Sequence, residues 1–263
     1  MTRPLITLTT DFGLSDHYVG TMKGVILKIC PSVRIVDISH GVAAFEIAEA
    51  AFALSQACGY FPRGTVHVAV VDPGVGTARR PILAKADGQY FIAPDNGVLS
   101  MIYARWPHKV RTISSDRYFL KPVSQTFHGR DIFAPVAAHL ASGIAPPRFG
   151  KLIEDYLRLS FDKPERTGRR TWTGAILKVD RFGNVVTNFK AEDFPDLGKR
   201  AFEMTAGPRL ITVLAHNYAE RGSPSELFLI VGSAGYYEIS ASQKSAAKLL
   251  GCGPGAPLEL RLL

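Results

Sequence analysis

A largely apolar, β-branched run at 66–71 stops abruptly at Asp-Pro-Gly-Val-Gly, 72–76. A run of this length that ends in turn residues is typical of a strand buried inside a sheet. Two similar runs, 5–10 and 33–38, precede it, and a helical pattern separates each run from the next. This strand–helix–strand–helix–strand order predicts a parallel sheet with right-handed crossover connections.

The texture of the chain changes after about residue 168, where short strand patterns alternate with Gly, Asn and Pro turns. We therefore predict an α/β fold with two domains. The N-terminal α/β domain, 1–162, has a mostly parallel central sheet flanked by helices. A linker at 163–171 leads to a smaller, mainly antiparallel C-terminal β domain at 172–263, in which only 241–250 is predicted to be helical.

Local sequence signals predict the positions of individual helices and turns in the first domain. Ser15 is a good N-cap for the first helix, and a second helix is predicted over 45–60. The pair Asp87-Gly88 predicts a hairpin, and a short strand is expected at 118–120. An apolar, alanine-rich helix at 131–141 follows, with Pro135 confined to its first turn or kinking it.

Composition bounds the function classes. Three cysteines without a C-x-x-C pair argue for a reducing, cytoplasmic environment and against a zinc site. The apolar runs are too short to cross a bilayer, and a strand pattern begins too early for a signal peptide, so we expect no membrane partner. The net charge of +8 comes from mostly scattered Lys and Arg residues. The dense cluster at 163–170 is interpreted as a solvated linker, so no nucleic-acid partner is expected.

Three residues form the candidate catalytic set. Ligands of open α/β sheets bind beyond the carboxyl ends of the strands, where Asp72 is predicted to lie. Arg79 follows within seven residues, and His128 precedes a predicted helix. Together they would make an Asp/Arg/His set able to orient a water molecule. Each also has a structural interpretation, with Asp72 as a turn cap and His128 as a core residue.

Other polar residues stand at turn positions. Asp11 follows the first strand and suits either the diol of a ribose or an Asx turn. Asp16 is expected near the start of the first helix, where a negative charge complements the helix dipole. The turn at 180–184 offers Asp180, Phe182 and Asn184, or is simply a hairpin turn. The Gly-Val-Gly at 74–76 lacks the remaining residues of a nucleotide-binding loop.

Five motifs in a fixed order carry a resemblance that spans nearly the whole chain. They are Thr-Thr-Asp-Phe-Gly at 9–13, Val-Val-Asp-Pro-Gly-Val-Gly-Thr at 70–77, Ala-Pro-Asp-Asn-Gly at 93–97, Thr-Phe-His-Gly-Arg-Asp at 126–131, and Asp-Arg-Phe-Gly-Asn-Val-Val-Thr-Asn at 180–188. This pattern resembles the S-adenosyl-L-methionine (SAM) hydroxide adenosyltransferase family, the adenosine-forming SAM hydrolases, which are related to the SAM-dependent fluorinase and chlorinase.

The resemblance implies a homotrimer with active sites between subunits. It also implies that water attacks C5′ of SAM to give adenosine and L-methionine, with SAM as the substrate and no metal or other cofactor. Asp72, Arg79 and His128 match the family's catalytic triad. The implied substrate-binding residues are Asp11 for the ribose; Asp16 and Asp180 for the methionine ammonium; Ser233 for its carboxylate; Phe182, Asn184 and Tyr218 for adenine; and Phe45 and Phe127 around the reacting carbon.

Differences from the halogenases favour water as the nucleophile. Gly129 stands at the halide-binding position and offers no hydroxyl, and the segment between Arg80 and Tyr90 lacks the long insertion of the fluorinase. Another difference lies beside Ser233, the residue implied to bind the methionine carboxylate. Ala234 follows it where the fluorinase has an arginine, so the resemblance does not say how the carboxylate is held at this position.

Two expectations concern the proton of the attacking water and the alternative functions. We expect His128 and Asp72 to share the removal of a proton from water. One alternative is a metal-dependent hydrolase that uses Asp11, Asp72, His128 and Asp131, although His-x-His and His-Glu-x-x-His spacings are missing. The others are a halogenase-like enzyme, a non-catalytic SAM or adenosine sensor, and an RNA-binding module.

Overall fold

The structure is a computed structural model that describes residues 3–160, 163–220 and 225–263. The chain divides into two compact units, Met1–Leu159 and Ser160–Leu263. The predicted domain boundary at 162 includes residues 161 and 162, which lie outside the described residues. Within the predicted linker, Glu165–Arg166 forms a short strand of the second unit.

The first unit is built on a seven-stranded sheet of order β2-β1-β3-β5-β4-β6-β7. Strands β2, β1, β3 and β5 are parallel, and β4, β6 and β7 are antiparallel to their neighbours. The strands are β1 (Leu5–Thr10), β2 (Arg34–Ser39), β3 (Val66–Val70), β4 (Pro81–Ala86), β5 (Gln89–Pro94), β6 (His108–Thr112) and β7 (Leu152–Ile153). The predicted hairpin is confirmed, because β4 and β5 pair around Asp87 and Gly88, which both have positive φ.

Four helices accompany this sheet: α1 (Tyr18–Ile29), α2 (Ile47–Cys58), α3 (Ser100–Arg105) and α4 (Ala134–Ala141). A π-helical turn, Gly129–Phe133, leads directly into α4. Pro135 lies in the first turn of α4, where its missing N–H is not needed, as the sequence predicts. Nearly every residue of α4 is buried, since its alanines allow close packing against α1 and β3.

Two local predictions in this unit are wrong. Helix α1 begins at Tyr18, and Ser15 does not cap it. Gly13 has a φ of 66° and donates its N–H to the His40 carbonyl. The segment between β1 and α1 is therefore held as a loop, and the helix begins after it. The predicted strand at 118–120 is replaced by a 3₁₀ turn, Asp116–Tyr118. There the Tyr118 ring packs at 4.8 Å from the Phe149 ring instead of joining a sheet.

The second unit is a nine-stranded, almost entirely antiparallel sheet of order β12-β11-β16-β9-β10-β15-β14-β13, with β8 paired to β9. Its strands are β8 (Glu165–Arg166), β9 (Thr171–Val179), β10 (Val185–Lys190), β11 (Phe202–Ala206), β12 (Arg209–Ile211), β13 (Leu214–Ala215), β14 (Leu227–Val231), β15 (Tyr236–Ala241) and β16 (Pro257–Leu262). The strand-rich character of this unit confirms the predicted fold class.

The helix predicted over 241–250 is shorter than expected. Strand β15 continues through Ala241, and α5 spans only Ala246–Leu250. The side chain of Ser245 accepts a hydrogen bond from the Lys248 N–H, so Ser245 is the N-cap and fixes the start of the helix. Across the described ranges, no helix is both long and apolar enough to span a bilayer.

Candidate active site

The register of the first sheet brings two predicted carboxylates to one edge. In the parallel pairing of β1 with β3, Thr10 lies opposite Val70. The next residues along each strand lead to Asp11 and Asp72 at the carboxyl ends of neighbouring strands. This is the edge where α/β sheets bind their ligands.

Asp72 and Arg79 form a buried, two-pronged ion pair. Arg79 Nε donates to Asp72 Oδ1 at 2.9 Å, and Arg79 Nη2 donates to Asp72 Oδ2. Only 5% of the Asp72 side chain and 9% of the Arg79 side chain are exposed. Two parallel charge-assisted bonds fix the relative orientation of the two planar groups. The guanidinium also lies over the Phe133 ring, 5.3 Å from its centre.

His128 joins this pair through Arg79. Arg79 Nη2 lies 2.7 Å from His128 Nδ1. Because a guanidinium only donates hydrogen bonds, Nδ1 accepts, and the proton of the neutral ring is on Nε2. Burial and the neighbouring positive charge of Arg79 lower the pKa of His128 below its ordinary value of 6.5. The ring is therefore neutral at physiological pH and presents Nε2–H as a donor.

The turn after β3 holds Arg79 against Asp72. Gly76 has a φ of 79°, and a side chain there would collide with the Gln125 carbonyl, so the turn packs directly on the segment before His128. Asn96, the fourth residue of the motif at 93–97, donates to the Val71 carbonyl at 2.8 Å. These contacts fix the end of β3 from two sides.

A cavity of about 310 Å³ opens beside this set. Asp11, Asp72, Phe127, His128 and Gly129 line it, as does Phe45, so six predicted site residues meet there. Sequence reasoning missed other residues of its wall: Phe12, Tyr18, Ala44, Val70, Val75 and Thr126.

The aromatic residues of this wall pack on one another. The Phe127 ring makes edge-to-face contacts with Phe12 at 5.9 Å and Tyr18 at 5.0 Å between ring centres. The signal that points to Phe12 is its place directly after Asp11. Tyr18 gives no comparable signal, because its position in the first turn of α1 is also that of an ordinary surface aromatic residue.

Asp11 organises the other side of the cavity. Its Oδ2 accepts a hydrogen bond of 2.9 Å from the Phe45 backbone N–H. Phe45 has a φ of 70°, a left-handed conformation that is rare for a residue with a large side chain. Strained backbone of this kind is concentrated at ligand-binding sites. In this conformation 69% of the Phe45 side chain is exposed.

Gly129 and Asp16, the two remaining predicted site residues of this unit, differ in burial. Gly129 is buried, and a side chain there would lie 3.1 Å from Met22 Sδ and 3.2 Å from Phe127 Cε2. A side chain at this position would therefore press on the Met22 and Phe127 side chains, which pack closely here because residue 129 is glycine. Asp16 is exposed in the loop before α1 and does not line the cavity.

The second unit has its own cavity, of about 850 Å³. It is lined by all five site residues predicted for this unit: Asp180, Phe182, Asn184, Tyr218 and Ser233. Both cavities fall within the size range of small-molecule sites, about 300–1,000 Å³.

The Asp180 carboxylate shapes its own turn. Its Oδ1 accepts from the Phe182 and Asn184 N–H groups, both at 2.8 Å, and its Oδ2 accepts from Asn184 Nδ2 at 2.9 Å. These are the hydrogen bonds of a hairpin turn, one of the two interpretations that the sequence leaves open for this motif. The turn also leaves the Phe182 ring 81% exposed, so a flat ligand has access to its face.

Sequence reasoning missed two charged residues of the second cavity, Glu238 and Lys244. Burial, with Asp180 nearby, raises the pKa of the Glu238 carboxyl above its ordinary value. Burial and the adjacent carboxylates likewise raise the pKa of Tyr218. Lys244 is exposed at the rim. Glu238 escaped detection because a single acidic residue in an alternating strand is normally on the solvent face.

In the part of the chain that the structure describes, no three His, Cys, Asp or Glu side chains come together as a candidate metal site. Asp131, one of the four residues of the metal-hydrolase alternative, is fully buried and paired with Arg130 and the Ser124 N–H.

An α/β unit with a strand-end Asp–Arg–His set, followed by a β unit with an aromatic and acidic cavity, defines a class of small-molecule enzymes with two ligand-binding units. Family models narrow this class. Residues 6–150 match the SAM hydroxide adenosyltransferase N-terminal domain, and residues 174–259 match the C-terminal domain. The chain belongs to this family, which confirms the resemblance seen in the sequence.

Individual members of this family and a solved structure are similar to the chain over nearly its full length. The chain is 37% identical to an (R)-S-adenosyl-L-methionine hydrolase of Salinispora tropica, over 98% of this chain and 97% of that protein. A fluorinase of Nocardia brasiliensis is more distant, at 25% identity over 99% of this chain and 97% of its own. Among solved structures, an uncharacterized conserved protein from Thermotoga maritima superimposes with a TM-score of 0.88 at 38% identity, covering 97% and 99% of the two chains.

Proposed function

We propose that this protein hydrolyses S-adenosyl-L-methionine to adenosine and L-methionine. The observation that carries the proposal is the Asp72–Arg79–His128 set at the wall of an aromatic cavity. Family membership and the 37% identity to a named SAM hydrolase support it.

The reaction suits such a cavity. Water oxygen forms a bond to C5′, the C5′–S bond breaks, and its electron pair goes to sulfur, so the leaving group is a neutral thioether. No general acid or Lewis acid is needed to stabilise it, and we propose that the reaction needs no metal or other cofactor. The positive charge on sulfur disperses in the transition state, which apolar walls such as Phe127 and Phe45 favour over the charged substrate.

The water requires orientation and a proton acceptor. We propose that His128 Nε2–H donates a hydrogen bond to the water and that Asp72 accepts its proton. Each Asp72 oxygen uses one lone pair on Arg79 and retains another. This division of roles replaces the expectation that the two residues share proton removal, because the Nδ1 lone pair of His128 is already occupied by Arg79.

The remaining predicted contacts are proposals of the same kind. One Asp11 oxygen is held by the Phe45 N–H, and the other is left to bind the ribose diol. Gly129 provides room beside the reacting carbon. In the second unit, Phe182, Asn184 and Tyr218 would bind adenine, and Ser233 the methionine carboxylate. Asp16 and Asp180 would lie near the ammonium group.

We further propose a cytoplasmic homotrimer whose active sites lie between subunits. The three cysteines are free thiols, which suits a reducing compartment. Each unit carries a cavity with only part of the proposed contacts, and the apolar side chain of Phe45, which lines the first one, is largely exposed. Apolar groups beside an incomplete site are typical of surfaces that a second subunit covers.

The direct test is incubation of the purified protein with SAM, followed by chromatography of the products. We expect equal amounts of adenosine and methionine, unchanged by prior dialysis against EDTA, and a large loss of turnover in Asp72→Asn. Formation of a halogenated nucleoside in chloride or fluoride buffer would favour the halogenase alternative. Saturable binding of SAM without products would favour a sensor.

A further inference from the structure

His40 is a buried histidine that none of the proposed steps uses. It directly follows β2, the strand beside β1, and only 3% of its side chain is exposed. Its Nδ1 lies 2.8 Å from the Thr10 hydroxyl oxygen, and its Nε2 lies 3.1 Å from Asp37 Oδ1. The other Asp37 oxygen accepts from Lys23 Nζ at 2.6 Å. Asp37, His40 and Thr10, which we call the His40 relay, therefore connect the surface to the residue that precedes Asp11.

The His40 relay has the order of a nucleophilic triad: carboxylate, imidazole and hydroxyl. The Thr10 side chain, however, is fully buried at the end of β1 and is not part of the wall of the 310 Å³ cavity. A nucleophile must touch the substrate, so Thr10 does not fit that role. The relay is better explained by what it holds in place.

The direction of the hydrogen bonds follows from Asp37. Burial alone would raise the pKa of the Asp37 carboxyl, but hydrogen bonds from Lys23 and His40 lower it below its ordinary value. The ionised carboxylate selects the ring tautomer with its proton on Nε2. In the neutral ring, Nδ1 then accepts from the Thr10 hydroxyl, and the Thr10 oxygen keeps its lone pairs for an N–H donor.

Two bonds from His40 act on opposite sides of Asp11. On one side, the ring fixes the Thr10 hydroxyl, whose oxygen accepts from the Phe12 N–H at 3.3 Å. On the other side, the His40 carbonyl accepts from the Gly13 N–H at 2.8 Å. The backbone that carries Asp11 is therefore held both by its preceding side chain and by the turn that follows it.

The segment from His40 to Phe45 orients the Asp11 carboxylate itself. The Ala43 N–H donates to Glu49 Oε2 at 3.0 Å, and the Phe45 N–H donates to Asp11 Oδ2 at 2.9 Å. Because this segment begins at His40, the position of the ring bears on the donor to Asp11 as well as on its backbone. Both routes lead from His40 to the same carboxylate.

We propose that His40, supported by Asp37, is a positioning residue for recognition of the substrate's ribose. It acts through Thr10 and the Gly13 N–H to hold the Asp11 carboxylate where it accepts from the ribose hydroxyls. The inference rests on the proposed function, in which Asp11 binds the ribose diol. A carboxylate that is already oriented loses less conformational freedom on binding, so the relay should strengthen substrate binding more than it changes the step at C5′.

The test compares Thr10→Val with the wild type on SAM and on its 2′,3′-dideoxy analogue. Valine has nearly the shape of threonine but no hydroxyl, so it disconnects the His40 ring from the Phe12 N–H while the core stays filled. The loss of one hydrogen bond predicts that kcat/KM for SAM falls about fivefold or more, mainly through KM. The dideoxy analogue offers Asp11 no hydroxyl, so we expect its kcat/KM to be the same for both proteins.

Thr7→Val is the matched control for loss of a buried bond. Thr7 is also fully buried on β1, and its hydroxyl oxygen lies 2.7 Å from Nδ1 of another buried histidine, His67. This control removes the same kind of bond from a strand position that does not precede Asp11. It should lower the free energy of unfolding as Thr10→Val does and leave the preference for SAM over the dideoxy analogue unchanged.

Two further variants follow the relay in both directions. Thr10→Ser retains a hydroxyl and should restore most of the preference for SAM that Thr10→Val loses. Asp37→Asn removes the charge at the partly exposed end of the relay, so it should produce a smaller loss with the same substrate pattern.

Several outcomes would overturn the inference. An equal fall in kcat/KM for both substrates in Thr10→Val, or a loss that Thr10→Ser does not repair, would show that the relay does not act on ribose recognition. The same loss of preference in Thr7→Val would assign the effect to general destabilisation. A wild-type protein that hydrolyses SAM and the dideoxy analogue equally well would refute the inference but leave hydrolysis standing. A wild-type protein that neither binds nor hydrolyses SAM would instead refute the proposed function itself.

Discussion

Arg79 lies between Asp72 and His128 and donates to both, and this fixes the chemistry left to each residue. The Asp72 carboxylate keeps free lone pairs and remains an acceptor. The neutral His128 ring has its Nδ1 lone pair occupied and keeps only an N–H to offer. Sequence places these three residues in one site, but the direction of each hydrogen bond depends on which His128 nitrogen faces Arg79.

The donor role of His128 is tested by two substitutions. Glutamine carries an N–H at a distance similar to that of Nε2, whereas alanine removes it. We expect His128→Gln to retain most of the kcat and His128→Ala to lose about 10²-fold or more, the scale of a positioned proton-transfer group. The measurement is kcat with saturating SAM, after binding has been checked for each variant. Equal, complete loss in both variants would restore His128 as a proton acceptor.

Single residues also explain what sequence reasoning missed. Glu238 sits in a strand whose neighbours Tyr237 and Ile239 are apolar and buried, so alternation would place it in solvent. It is buried because Gly232, six residues earlier, makes room for its carboxylate. A contact made possible by the absence of a side chain leaves no trace in a hydropathy pattern.

At the scale of elements, the Asp72–Arg79–His128 site depends on a turn that packs against the segment before a helix. The turn from Asp72 to Arg79 lies on the segment that leads into the π-helical turn at Gly129–Phe133. Parallel pairing of β1 and β3 was predictable from the alternation of strands and helices, and so was the shared edge for Asp11 and Asp72. The π-helical turn and the late start of α1 were not, because both depend on tertiary hydrogen bonds.

Gly76 is the residue on which this packing depends. A side chain there meets two penalties, a φ of 79° and a collision with the Gln125 carbonyl, whereas Gly64 has a φ of 85° and open space around it. We expect Gly64→Ala to lower the free energy of unfolding by about 1–3 kcal/mol with normal turnover per folded molecule. Gly76→Ala should lower it further and reduce kcat as well. Urea titration and kinetics measure both, and identical effects of the two variants would refute the packing argument.

The middle of β3 makes the stability of the first unit sensitive to acid. His67 is fully buried, bonded to Thr7 through Nδ1 at 2.7 Å and stacked on Phe91, and burial lowers its pKa from 6.5 to about 4. Because the unfolded chain takes up the proton first, stability falls as pH drops from 6.5 towards 4. The loss approaches roughly 3 kcal/mol.

Substitution separates this term from other titrations. His67→Gln should reduce stability at neutral pH, since it disturbs a filled core, but should show a shallower decline on acidification. The exposed His17→Gln is the control and should retain the wild-type decline. Urea unfolding at a series of pH values measures both slopes, and an unchanged slope in His67→Gln would contradict the assignment.

For the whole molecule, the proposed function requires that two cavities, one in each unit, bind parts of one substrate. The order of strands and the change in texture near residue 168 predict two domains and their fold classes. They contain no information about assembly, because the residues of a shared site are ordinary surface residues within one chain. The proposed trimer therefore needs a test of its own.

Subunit complementation provides it. Asp72→Asn damages the first cavity, and Phe182→Ala removes the exposed ring of the second without disturbing a packed core. If active sites lie between subunits, co-expressed mixtures should regain about one quarter of wild-type activity, because each mixed cyclic trimer contains one intact site. Either variant alone should remain inactive at low SAM. A mixture no more active than its parts would show that no site is shared.

The most direct test of the central claim is hydrolysis of SAM in ¹⁸O-labelled water, with mass spectrometry of both products. Attack of water at C5′ predicts that the label enters the 5′-hydroxyl group of adenosine and that L-methionine carries none. Asp72→Asn should slow this reaction without changing the position of the label. Unlabelled adenosine, or label in another product, would contradict the mechanism proposed for Asp72, Arg79 and His128.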